Sequence, residues 1–386
     1  MGLYALRWWR ERATFVLLAA PCVAAGAAVA WDTLRVRLSM PRLVAGLGVV
    51  ALFIGAWASL RPERVLNRAS VWRIEEPMPA GLVDFHLANA LPATLYNTIA
   101  WGGYIVWRAE GHVRVFIDPR MELYSRETLR ENMLVQSGMP GTTETLRRRG
   151  VECAMIPFSD GIDAALEGAP PGRIATVLWN DPEWLLVRWD DHGMIYLSAE
   201  AWSARHADLP VWSAFNPDER DTASATADAD ALASRITALR AHTAAQPTVR
   251  RSREMLGMML EKAGGFAEAR GVWDGLSRRA DARPSDFDHL AFACDSMGDL
   301  PAAFGAAHAG IAKFPNSAVL HDTAGIAAAG LGDVEAGYGL LLRAERLGGA
   351  THARAVNLAR MAARLGRTDE ARRHAEEAAR LAPATP

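Results

Sequence analysis

Two short stretches carry the residues best suited to hold a ligand. In the first, Asn97 is followed by Trp101, Gly102 and Gly103. A glycine pair at a helix start lets backbone approach closely, and the amides exposed there suit an anion such as a phosphate or a carboxylate. In the second, Asp118, Arg120, Glu122 and Tyr124 follow the strand-like run Val113-Arg114-Val115-Phe116-Ile117. Ligands of open α/β sheets bind beyond the carboxyl ends of the strands, so these eight residues form the candidate ligand site. A plainer reading is favoured, because motifs of this kind are more often structural: Asn97 and Asp118 cap turns, Asp118 pairs with Arg120, and Trp101, Tyr104 and Trp107 are core. A third polar group, Asp190-Asp191-His192, places two acids and a histidine in succession. It lacks ligand geometry and reads as a solvated turn, not a metal site.

Motifs for chemistry are otherwise missing. The sequence has no P-loop, no GxSxG, no HExxH and no dinucleotide fingerprint, so no catalytic residue is assigned and no cofactor or metal is expected. Cys22, Cys153 and Cys294 form no CxxC and fall in three different regions, which supports neither a zinc site nor a disulfide framework. The net charge of −2 gives no global field toward polyanions, and no nucleic-acid partner is expected. Arginine far outnumbers lysine and alanine is abundant, as in proteins of GC-rich bacteria.

The elements that would position the ligand site lie in residues 77–202. Residues 81–90 are weakly helical, 94–97 form a short strand and 101–108 a short helix. Val113 to Ile117 is a strand ended by Asp118-Pro119. Helices follow over 127–135 and 142–149, the second closed by Gly150 as a left-handed cap. Residues 153–157 form a buried-type strand, and 184–189 and 194–197 a hairpin around the Asp190–Gly193 turn. Strands alternating with helices imply an α/β domain with a mixed sheet, parallel with an antiparallel edge. Residues 203–230, rich in Ala, Asp, Ser, Thr and Pro, read as a linker, and 231–243 as a lead-in helix.

Self-similarity dominates the rest. Gly264, Gly298, Gly332 and Gly366 stand 34 residues apart. Each is followed five residues later by Ala269, Ala303, Gly337 or Ala371, and preceded by seven by Gly257, Ala291, Gly325 or Ala359. The glycines end one helix in a turn that needs a left-handed backbone, and the small residues mark where two helices cross most closely. The pattern resembles the tetratricopeptide repeat family, with units at 250–283, 284–317, 318–351 and 352–385. Ala307 and Ala375 replace bulky residues, which predicts thin packing in the second and fourth units. The resemblance implies a concave groove lined by the first helix of each unit. In this register it carries Arg251, Glu254, Met258, Glu261, Asp288, Phe292, Asp295, Asp322, Ile326, Val356, Arg360 and Arg364. Mostly acids and apolar residues stand where some members clamp a terminal carboxylate. The groove therefore suits an amphipathic or basic peptide, with a scaffold packed on its own α/β domain as the alternative.

The first 62 residues read as membrane. Residues 13–31 and 43–60 are uncharged runs of 19 and 18, near the roughly 20 that cross a bilayer, with Trp8, Trp9, Trp31 and Trp57 near their ends. A signal peptide is the rival reading of the first run, since Arg7, Arg10 and Arg12 precede it and Ala28-Val29-Ala30 resembles a cleavage site. Charge leaves orientation open. The stretches Asn97 to Trp107 and Phe116 to Tyr124, with the hairpin after them, resemble a soluble domain of bacterial polytopic membrane proteins. There an N…WGGYLIW and a VFIDGRxELY stretch follow a glycosyltransferase-C-like membrane region, and some members end in tetratricopeptide repeats. Pro119 replaces the usual glycine. The resemblance implies an inner-membrane protein with its α/β domain and repeats outside the cytoplasm. It also implies sugar transfer from a lipid-phosphate donor, but this chain offers two spans and only Asp32 as an acid in loop 32–41. It looks like the C-terminal part of such an enzyme without the catalytic half. The expected fold class is thus a membrane helical hairpin, an α/β domain and an all-α tetratricopeptide solenoid. The expected function is a membrane-anchored module that binds a protein or peptide, or else an accessory part of a glycosyltransferase-C-like enzyme.

Overall fold

A computed structural model describes residues 78–158, 174–218 and 228–382, all within one compact unit, Met78–Pro386. The helices α1 Ala80–Ala88, α2 Ile99–Arg108, α3 Arg126–Gln136, α4 Thr142–Arg148, α5 Ile174–Asn180 and α6 Ala199–Arg205 accompany five strands. These are β1 Thr94–Asn97, β2 Arg114–Val115, β3 Cys153–Pro157, β4 Trp184–Trp189 and β5 Gly193–Ser198. The sheet order is β2-β1-β3-β5-β4. β1 runs parallel to β2 and β3, while β5 is antiparallel to β3 and β4.

Both faces of this mixed sheet are covered, which explains its nearly unbroken apolar strands. Cys153, Met155, Ile195 and Leu197 face a core shared with Leu82, Val83 and Ile105 of α1 and α2. Their neighbours Ala154, Ile156, Met194 and Tyr196 face Val135, Leu146 and Leu178 of α3, α4 and α5, as the two-residue period of a strand requires. The strand expected over 113–117 is regular only at Arg114–Val115. Phe116 N still donates to Leu95 O at 2.9 Å, and there the Asn97 side chain takes over from the ladder. The Asn97 carbonyl accepts from Phe116 N at 2.9 Å and its amide donates to Ile117 O at 2.7 Å.

The expected membrane hairpin is dropped from the fold class. The two runs 13–31 and 43–60 lie outside the described residues, and among the described residues no helix is long and apolar enough to cross a membrane. The longest of these, α7 Ala229–Ala245, has 17 residues and carries Asp230, Arg235, Arg240 and His242. It is both too short and too polar for a bilayer core about 30 Å thick. The inner-membrane placement, with its extracytoplasmic α/β domain and repeats, is withdrawn on the same finding. What stands is a helical chain with a small mixed sheet.

After α7 come four hairpins: α8 Arg250–Lys262 with α9 Phe266–Ser277, α10 Pro284–Ser296 with α11 Leu300–Lys313, α12 Ala318–Gly330 with α13 Val334–Gly348, and α14 His352–Arg364 with α15 Thr368–Arg380. The turn glycines Gly264, Gly298, Gly332 and Gly366 all have φ between 72° and 99°, the left-handed region closed to most side chains. The expected crossings are as close as the small residues imply. A Cβ on Gly325 would lie 2.9 Å from Gly337 O, and one on Gly257 2.6 Å from the Trp273 ring. Asp299 and Asp333, one repeat apart, cap α11 and α13 by accepting from Ala302 N and Ala336 N. Ala307 is fully buried, whereas Ala375 is exposed and α15 buries only Ala378. The outer face of α15 is polar.

The sheet and the repeats share one core. Trp189, at the end of β4, stacks on the His242 ring of α7 at 3.7 Å between centroids. Trp212 meets the same histidine edge-on at 4.7 Å, and Phe215 closes on Trp189 at 6.1 Å. Residues 206–218, part of the expected linker, therefore pack on the sheet, with Trp212 N donating to Leu186 O at 2.8 Å. The Asp190-Asp191-His192 turn is not simply solvated. Asp190 is buried, which raises its carboxyl pKa, and its Oδ1 accepts from His192 N and Gly193 N. The Asp191 carboxylate accepts from Arg251 N at 2.7 Å, so it caps α8, whose own preceding residue Val249 has no capping side chain.

Two outcomes follow from this seam. Asp191→Ala should lower unfolding free energy by about 1 kcal/mol, the usual loss for an N-cap, as measured by urea denaturation. Burial lowers the His242 pKa to about 4. The unfolded chain then takes up a proton near pH 6.5 that the folded chain refuses. Stability contributed by neutral His242 is complete above pH 6.5 and is lost as pH falls toward 4, on the order of 3 kcal/mol. His289 runs the other way, since its pKa is raised. Denaturation at pH 7.5 and pH 4.5 should therefore show a smaller acid loss for His242→Phe, which keeps the stack, than for the parent chain.

Candidate functional site

The ligand site expected on the sheet is closed on itself. Asn97 is fully buried and holds Phe116 N, Ile117 O and, at 2.8 Å, Thr98 O. Gly102 is where α2 meets the strand end: a Cβ there would lie 2.1 Å from Ile117 O and 2.7 Å from the Asp118 Cα. Gly103 has more room, with Pro119 Cδ at 3.6 Å. Asp118 is buried and accepts from Arg120 N at 2.8 Å, Arg120 Nε at 3.0 Å and Arg120 Nη2 at 2.6 Å. Arg120, with help from the Tyr124 hydroxyl, holds the Asp118 pKa at about 2. Glu122 is exposed and adds only its charge near Arg120, and Trp101 points its ring at Gly193. The structure thus joins Asn97, Gly102, Asp118, Arg120 and Tyr124 and leaves out Glu122. Trp107, expected in the core, is 70% exposed, with the Tyr104 ring tilted against it at 5.7 Å between centroids.

The other constellation is open. On the concave side a cleft of about 390 Å³ lies among α8, α10 and α12. Five of the expected groove residues line it: Glu261, Asp288, Phe292, Asp295 and Ile326. His289 and Thr323 line it too. The repeat register could have found them, since they are 34 apart and each follows an expected groove acid. Phe292 and Ile326 are 49% and 46% exposed. Phe292 is braced by Phe266 at 6.1 Å, edge to face.

The remaining groove residues divide. Arg251 is buried in the seam, its guanidinium 3.6 Å above the Phe158 ring and donating to Pro217 O. Glu254 pairs with Arg250 and Arg283, and Asp322 with Arg354 at 2.6 Å. Met258 packs on the core, and Val356 is half-buried. Arg360 and Arg364 are exposed, Arg364 reaching Ala329 O at 3.4 Å.

The cleft is acidic in charge. His289 stacks on Trp273 at 4.4 Å and its Nδ1 sits 3.0 Å from Glu261. Burial pulls the His289 pKa down, but the Glu261 hydrogen bond and charge, with Asp288 and Asp286 behind, raise it overall. Glu261 is thereby partly neutralised. Asp288 accepts only from the Thr323 hydroxyl. Among the described residues no cation pairs with Asp288 or Asp295. No group of three metal-binding side chains exists among the described residues.

No family profile matches the chain, and no curated protein matches it. Several solved structures do. TTC0263, a thermophilic tetratricopeptide repeat protein of Thermus thermophilus, is 21% identical, with a TM-score of 0.35 over 40% of this chain and 84% of its own. MamA from Desulfovibrio magneticus RS-1 is 16% identical, with a TM-score of 0.36 over 39% and 85%. A tetratricopeptide repeat protein from Parabacteroides merdae is 14% identical, with a TM-score of 0.35 over 38% and 59%. At these values the likenesses carry no argument about ligands or partners, and they lend none to the glycosyltransferase-C-like resemblance. The tetratricopeptide character rests on the chain's own hairpins, with their 34-residue period, left-handed turn glycines and close crossings.

The closed sheet cluster has a direct check. Gly102→Ala drives a methyl into backbone, which cannot yield as a side chain does. A loss of roughly 1–3 kcal/mol or more is expected by chemical denaturation, whereas Glu122→Ala should stay within about 0.5 kcal/mol.

Proposed function

We propose that the chain is a protein-interaction module and that the cleft among α8, α10 and α12 is where a peptide segment of the partner docks. The observation behind this is the exposure of Phe292 and Ile326, two large apolar side chains, between the unpaired carboxylates of Asp288 and Asp295. Solenoids present such concave surfaces to extended ligands. An apolar side chain of the partner would cover Phe292 and Ile326, and a lysine or arginine beside it would answer the acids. Apolar side chains flanked by carboxylates along adjacent helices suit recognition of a segment, which is the reading adopted. The sheet contributes by holding the first repeat rigid through the Trp189 and Asp191 contacts.

A random peptide library displayed on phage and panned on the full chain is expected to enrich ligands. Their affinity for a Phe292→Ala, Ile326→Ala double variant should fall at least tenfold, since buried apolar anchors commonly contribute more than about 1 kcal/mol each. Circular dichroism should show the double variant folded, because both side chains are half exposed. Equal binding to the two proteins overturns the reading.

A further inference from the structure

The groove is not uniform along its length. In the second repeat its free charges are the carboxylates of Asp288 and Asp295 on α10. In the third repeat the acid of the unit's first, or A, helix, Asp322 on α12, is neutralised by Arg354, and the surface on α12 is led by the exposed Ile326. In the fourth repeat Arg360 and Arg364 on α14 are exposed, and among the described residues no acid pairs with either. Phe292, Ile326 and Arg360 are successive occupants of one repeat position, 34 residues apart. The A helices therefore carry an acidic, an apolar and a basic zone in order.

We infer that the occupant of this groove is a bipolar extended peptide, with a cationic side chain over Asp288 and Asp295, apolar side chains over Phe292 and Ile326, and an anionic side chain over Arg360 and Arg364. The inference rests on the peptide-docking reading above and adds the chemistry of both ends. Neighbouring packed helices lie about 8–10 Å apart, which puts the acidic and basic zones about 16–20 Å apart. An extended chain advances about 3.3–3.6 Å per residue, so the two charged side chains are about five or six residues apart. The three zones lie on successive packed helices, so a segment that crosses those helices in extended form meets all three in turn. Exposed ion pairs contribute little affinity each but set register and reject wrong partners. Because the zones are of opposite sign, a wholly basic peptide is repelled at one end.

The experiment extends the library selection on the full chain. Enriched peptides are expected to carry Lys or Arg, an apolar stretch and Asp or Glu at that spacing, in either chain direction. Panning on the Arg360→Glu, Arg364→Glu variant should replace the acid by Lys or Arg while keeping the first cation. A synthetic peptide from the parent selection should bind that variant about three- to tenfold more weakly by fluorescence anisotropy. If enriched peptides are basic and apolar without an acid, and charge reversal changes nothing, the bipolar inference is overturned while the docking reading stands. If nothing is enriched on the full chain, both are overturned.

Discussion

The fold depends on one aromatic stack. Trp189 ends the outer strand of the sheet, and His242 sits mid-helix on the element that leads into the repeats. Their face-to-face contact, with Trp212 and Phe215 around it, merges the sheet face that meets α3, α4 and α5 with the first repeat in a single apolar body. The stack requires a neutral imidazole, because a charge enclosed by indole rings and leucines would have no water to solvate it. The Gln246 side chain, 2.9 Å from His242 Nε2, gives the ring a neutral partner. Placement of the groove relative to the sheet follows from this contact and from Arg251, which clasps Pro217 and Phe158 across the same boundary.

Within the repeats the governing constraint is the distance between helices. Where Gly325 faces Gly337, backbone meets backbone and no side chain intervenes. Where Gly257 faces Trp273, the glycine instead accommodates a full indole, and His289 stacks on that indole. The same repeat position thus solves two packing problems. The second solution also places a histidine beside Glu261 at the edge of the cleft, so the acidity of the cleft is softened at one corner by a core residue.

Much of this was legible in the sequence, and the misses share a cause. The turn glycines announced themselves because a left-handed backbone at a fixed interval admits few alternatives. Asp288, Phe292, Asp295 and Ile326 followed from that register. Arg251 obeys the same register yet lies in the seam, because its environment is set by Phe158 and Pro217, distant in sequence. Asp190 and Asp191 looked like a polar turn for the same reason: only the tertiary fold shows that α8 begins against them. Asn97 and Asp118 were recognised as a constellation. Their hydrogen bonds are satisfied within it, which favours the plainer reading of turns and braces. The strand at 113–117 was overestimated because beyond Phe116 N, which still reaches Leu95 O, the Asn97 side chain takes the place of backbone. Trp107 shows that aromatic content alone does not mark a core. The apolar runs of the first 62 residues lie outside the described part of the chain.

The polar outer face of α15 and the Asp191 cap on α8 make the first and last described hairpins unlike. A solenoid is a nearly one-dimensional chain in which each unit is stabilised by its neighbours. The first unit has a covalently attached sheet as its neighbour, and the described last hairpin turns a charged face outward. Opening should then be graded, with amide protection declining from the sheet outward instead of vanishing at one threshold. The acid-lined part of the groove belongs to the rigid end of that gradient and the arginines of α14 to the pliant end. A ligand would meet a preformed socket first and draw in a yielding one second.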